Sequence, residues 1–94
     1  MLEVHVFISG RVQKVGFRFL TKMKAKELAL SGWVRNLPDG RVETTIVGDK
    51  EKVDEMIKWL HQGSPLARVD SIEVKDKVIK EDPFDSNFTI RKIN

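Results

Sequence analysis

The chain contains no cysteine, and its longest apolar runs are three residues, as in Val6-Phe7-Ile8. The absence of cysteine excludes a disulfide framework, thiolate-bound zinc or iron–sulfur centres and a thiol nucleophile. Runs this short fit neither a membrane span nor a signal-peptide core, and Glu3 and His5 interrupt the N-terminus early, so a cytoplasmic location is the expectation. Charge of one sign is also scarce: 17 Lys+Arg against 14 Asp+Glu leave a net +3. That excess is small for a nucleic-acid binder, although the sequence pI is near 9.3. What is present is 40% hydrophobic and 33% charged residues over 94 positions, the balance of one compact domain spanning 1–94.

Leu2, Val4, Val6 and Ile8 alternate with polar or outward residues and predict a strand with one buried face. A glycine-bracketed loop, Ser9 to Gly16, follows. Residues 17–30 read as a helix whose buried stripe is Phe17, Thr21, Ala25 and Leu28, with Gly32 closing it. Trp33–Leu37, the turn Pro38-Asp39-Gly40 and Arg41–Val47 predict a hairpin with Val42, Thr44 and Ile46 facing the core. Asp49 is suited to cap a second helix, on which Val53, Met56, Ile57 and Leu60 share one face, and Gly63 with Pro65 ends it. Ile72 and Val74 mark a fourth strand within Arg68–Lys77, Glu81-Asp82-Pro83 a loop, and Phe88–Arg91 a short fifth strand at an edge. The order β-α-β-β-α-β predicts an α+β ferredoxin-like split β-α-β sandwich, an antiparallel sheet with both helices on one face. That fold hosts many activities and by itself names none.

Two histidines, His5 and His61, lie far apart and have no metal-ligand spacing. There is no Gly-x-Ser-x-Gly elbow, and the carboxylates are scattered. The segment Ile8–Arg18 is different. A loop running into a helix start turns several backbone N–H groups toward one point with the helix dipole behind them, a nest for phosphate or carboxylate. Arg18 falls in the first helical turn, where its planar fork can hold a phosphoryl group, and Arg11 and Lys14 add positive potential. The spacing Gly10-x5-Gly16 matches neither nucleotide-binding glycine pattern. Two turn glycines and a solvated arginine account for the same residues equally well on physical grounds alone.

Gly10-Arg11-Val12-Gln13-Lys14-Val15-Gly16-Phe17-Arg18 resembles the signature loop of the acylphosphatase family. Gly32-Trp33-Val34-Arg35-Asn36, followed by Gly40-x-Val42 and Gly48, is similar to that family's second signature, and Gly63–Val69 to its approach to the fourth strand. The resemblance covers essentially the whole chain. It implies hydrolysis of the carboxyl–phosphate anhydride of small acyl phosphates, without a metal or other cofactor. Arg18 then matches the arginine that binds the phosphoryl group and Asn36 the asparagine that positions the attacking water. The backbone of Gln13, Lys14, Val15, Gly16 and Phe17 would hold the remaining phosphoryl oxygens. Read without the resemblance, Asn36 is a structural residue at a strand end. Lys14 departs from the pattern, because the family usually has glycine there; a left-handed backbone at that position makes lysine costly by on the order of 1 kcal/mol. No nucleic-acid or membrane partner is expected, and a monomer is. Two rivals stand beside the enzyme. An RNA-binding sheet face is poorly served by Glu3, His5, Phe7, Arg41, Glu43 and Thr45, and a non-catalytic anion-binding domain has Lys14 as its support.

Overall fold

The computed structural model describes residues 1–79 and 87–92. Apolar alternation puts Val4, Val6 and Ile8 of strand β1 (Leu2–Arg11) on one face, all fully buried. Helix α1 (Phe17–Glu27) lays Phe17, Thr21 and Ala25 against that face, as the spacing predicts, while Phe19 and Met23 point outward. Strands β2 (Ser31–Asn36) and β3 (Val42–Gly48) form the hairpin, and Val42, Thr44 and Ile46 are buried. Helix α2 (Lys50–Gln62) buries Val53, Met56 and Leu60, and β4 (Arg68–Ile79) returns beside β1. The two helices and the inner sheet face enclose one core. The loop expected at Glu81-Asp82-Pro83 lies outside the described residues.

The sheet order is β4-β1-β3-β2-β5, with β1 antiparallel to both β3 and β4 and β2 antiparallel to β3. This is the ferredoxin-like split β-α-β arrangement. The short fifth strand, β5 (Phe88–Arg91), is present, but it pairs parallel to β2, so the five-stranded sheet is mixed and not antiparallel throughout. The chain reaches the opposite edge of the sheet from β4 and runs there in the direction of β2. It covers an edge that would otherwise expose unpaired backbone groups.

One expectation is corrected. Helix α1 ends at Glu27, not at residue 30, and Gly32 does not close it but lies within β2. Closure falls to Ala29, which takes a left-handed φ of 55°. Its amide donates to Lys26 O at 3.1 Å and the Leu30 amide to Ala25 O at 2.8 Å, the paired bonds of a Schellman cap. Burial of Leu30 against the core rewards the early reversal of the chain.

Among the described residues the other face of the sheet carries no helix. There Glu43, only 5% exposed, joins His5 Nε2 at 2.6 Å and Arg35 Nε at 2.5 Å. Arg41 lies over the Phe7 ring and Arg91 over Trp33, at 4.8 and 4.6 Å. Burial works to raise the Glu43 pKa, but hydrogen bonds from Arg35 and then His5 outweigh it and hold the carboxyl below its ordinary value of 4.5. A depressed carboxylate contributes stability that is present above the unfolded value and is lost as pH falls through the folded one. Glu43→Gln is therefore expected to lower the urea midpoint at pH 7 and to lower it less at about pH 3. Equal losses at the two pH values would show that the ionised carboxylate contributes nothing.

Candidate active site

The loop 12–16 joins β1 to α1 and takes its shape from two left-handed residues, Lys14 at φ 62° and Gly16 at φ 77°. Gly16 is the N-cap of α1 and, having no side chain, leaves the helix start without a side-chain cap; the first turn holds no acid either. The first helical amide with an intrahelical partner is that of Leu20, which donates to Gly16 O at 3.1 Å. Those of Phe17, Arg18 and Phe19 are the orphan donors of the helix start. Helix α2 differs in charge and not in capping: its N-cap residue Asp49 makes no side-chain cap bond either, but Asp49 and Glu51 place acids at its start. Of the two helix starts, that of α1 is the one open to an anion.

A half-open cleft of about 190 Å³ lies at this helix start, lined by Val12, Lys14, Gly16, Phe17, Arg18, Phe19 and Ile90. Arg35 and Arg41 are paired with Glu43 and Asp39, and Arg68 with Asp70. Among the described residues the Arg18 guanidinium has no such partner, which leaves its fork available to a ligand. Phe17 is buried, its ring 6.2 Å from that of Trp59, and so fixes the first turn that carries Arg18 against the end of α2.

The structure thus brings Lys14, Gly16, Phe17 and Arg18 together. Gln13, Val15 and Asn36 do not line this cleft. The Gln13 side chain is instead directed at the β2–β3 turn, where Nε2 donates to Leu37 O at 2.8 Å and Arg41 O at 2.9 Å. The loop is thereby stitched to the residue immediately after Asn36. Asn36 closes β2 opposite Val42, and its Oδ1 is buried with no hydrogen-bond partner among the described residues. A side-chain acceptor without a structural bond there argues against a purely structural asparagine. Val15 packs on the core, and its carbonyl accepts from the Ser64 hydroxyl at 2.7 Å. Ser64, 2% exposed, anchors the loop from the segment after α2. Sequence reasoning missed it, since a serine between Gly63 and Pro65 reads as helix punctuation. The roles of Phe19 and Ile90 in the cleft wall were equally invisible, one being an outward helix residue and the other lying on the short edge strand.

Lys14 occupies the left-handed position that makes glycine the usual residue, at a strain of roughly 1 kcal/mol. Lys14→Gly should raise stability by less than that strain, because glycine also frees the unfolded chain. A higher urea midpoint at unchanged slope is the expected reading; a lower one would mean that the lysine side chain holds the loop.

Sandwich, helix start without a side-chain cap and a cleft lined by Lys14 and Arg18 define an α+β protein of the ferredoxin-like class with a cationic cleft. A family model described as acylphosphatase matches residues 4–90. An acylphosphatase of Thermococcus kodakarensis is 55% identical over 74 residues, which are 79% of this chain and 81% of that protein. One of Trichormus variabilis is 52% identical over 75 residues, 80% of this chain and 74% of its own. The crystal structure of acylphosphatase from Bacillus subtilis has a TM-score of 0.89 at 34% identity, covering 97% of this chain and 99% of that one. The chain belongs to the acylphosphatase family and is an enzyme of that type.

Proposed function

We propose that this acylphosphatase works at the loop that leads into α1 and the cleft beside it, with Arg18 and the amides of the Gln13–Phe17 loop on the phosphoryl group and Asn36, at the end of the strand that Gln13 ties to the loop, on the attacking water. The observation that carries this reading is Arg18, unpartnered among the described residues, beside a helix start with neither a side-chain cap nor an acid. The substrate is a small acyl phosphate. Water oxygen bonds to phosphorus, and the phosphorus–oxygen bond to the acyl group breaks. The bond's electron pair leaves on the carboxylate, and one water proton passes to a phosphoryl oxygen, so that the dianionic anhydride yields a carboxylate and dihydrogen phosphate. A carboxylate leaves readily and needs no strong general acid. The loose transition state asks mainly for positioning and for charge stabilisation, which amides and a guanidinium supply.

Gln13 supports the Asn36 role from a distance, since its bonds to Leu37 and Arg41 hold the strand end against the loop. A monomer in the cytoplasm, where a cysteine-free chain is at home, completes the proposal. Asn36→Ala tests the assignment with benzoyl phosphate as substrate. Loss of a water-positioning group should lower kcat by about 100-fold and change KM by less than about threefold. A raised KM with kcat intact would place Asn36 on the substrate and not on the water.

A further inference from the structure

The cleft is lined by groups of two chemistries: Lys14, Arg18 and the Gly16 backbone are cationic or polar, and Val12, Phe17, Phe19 and Ile90 are apolar. Phe17 and Val12 belong to the core, but Phe19 is 59% exposed and Ile90 39% exposed. Single exposed apolar side chains are ordinary. Here two of them, one from α1 and one from β5, converge on the same cleft as the unpaired Arg18. Neighbours on a helix point about 100° apart, yet Arg18 and Phe19 both line this cleft.

Resting on the function proposed above, we propose that Phe19 and Ile90 form the subsite for the acyl group and select acyl phosphates whose acyl part is apolar and compact, such as a single ring. An acyl phosphate is itself two-ended: a dianionic phosphoryl group joined through one carbonyl to the remainder of the molecule. With the phosphoryl group at Lys14 and Arg18, that remainder has the apolar wall to lie against. The cleft, at about 190 Å³, is smaller than the roughly 300–1,000 Å³ pockets that take drug-sized ligands. It therefore suits a phosphate with a short chain or one ring. A second anionic group on the acyl part would have to leave water for Phe19 and Ile90, which offer it no hydrogen bond.

The test compares kcat/KM for benzoyl phosphate and acetyl phosphate in the parent, in Phe19→Ala and in Ile90→Thr. The parent should favour benzoyl phosphate by about tenfold, the equivalent of about 1.4 kcal/mol. Phe19→Ala should remove most of that ratio and Ile90→Thr about a threefold part of it, with the change carried by KM. A second arm measures calorimetric binding of phenacylphosphonate and of methylphosphonate, neither of which is an anhydride. Tighter binding of the aromatic phosphonate, lost in Phe19→Ala, supports the subsite even if the parent hydrolyses neither ester. In that event the proposed catalytic site fails and the binding inference stands. A ratio near one in the parent, or a ratio that both substitutions leave unchanged, overturns the subsite while leaving the hydrolytic reading intact. Faster turnover of an acyl phosphate bearing a second anionic group overturns it as well.

Discussion

Arg18→Ala is expected to lower kcat/KM for benzoyl phosphate by about a thousandfold or more, while thermal stability stays within about 2 °C of the parent. The size follows from what is removed. Arginines that stabilise a transferring phosphoryl group are worth about 10³–10⁵ in rate, and three decades correspond to about 4 kcal/mol of barrier. Stability is spared because the side chain is only half-buried and, among the described residues, holds no carboxylate. Arg18→Lys should regain less than about tenfold, since an ammonium replaces the charge but not the two parallel donors of the fork. Added guanidinium ion should restore part of the rate to Arg18→Ala and none to Arg18→Lys, where the lysine fills the space. Steady-state kinetics of the two variants decide the point: parental rates in Arg18→Ala would remove the residue from the mechanism.

Gly32→Ala should be the most damaging single methyl group. The residue sits within β2 at φ 132°, a backbone region that side chains rarely adopt. A Cβ there would collide with the carbonyl oxygen of Thr45 on β3 and lie 2.9 Å from its carbonyl carbon. Both contacts are backbone of the neighbouring strand, so no rotamer change relieves them. On the other side the Gly32 amide donates to Asn87 O at 3.1 Å, so β2 is pinned between β3 and β5 and cannot shift away. Backbone strain of about 1–3 kcal/mol plus the collision makes a loss of about 3 kcal/mol or more reasonable. For a domain of this size that is a fall in Tm on the order of 15 °C. Differential scanning calorimetry provides the measurement, and a Tm within about 3 °C of the parent would show that β2 and β3 separate more easily than their pairing implies. Activity should fall with the fold, because β2 ends at Asn36.

What the sequence determined by itself is the part governed by short-range pattern. Alternation over Leu2–Ile8 and Val42–Ile46, the stripes Phe17-Thr21-Ala25 and Val53-Met56-Leu60, and the Pro38-Asp39-Gly40 turn depend on periods of two and 3.6 residues, which survive in any tertiary setting. The loop leading into Arg18 was visible for the same reason: glycine, helix start and arginine fall within a few residues of one another. The left-handed backbone at Lys14 is a finding of the structure, to which the sequence pointed only through the glycine that the family usually has there. The resemblance to acylphosphatases adds the partner that spacing cannot supply, Asn36. Tertiary structure alone decided the rest, because it concerns groups far apart in the chain. Ser64 meets Val15 across 49 positions, Gln13 reaches Leu37 and Arg41 across 24 and 28, and His5 is hydrogen-bonded to Glu43 across 38. The closure of α1 by a left-handed Ala29 and the parallel docking of β5 depend on where Leu30 and Phe88 find the core, not on the residues beside them. The wall of Phe19 and Ile90 is of that kind too: each is an unremarkable surface residue until the β5 edge is laid against α1 and the two face the same cleft as Arg18.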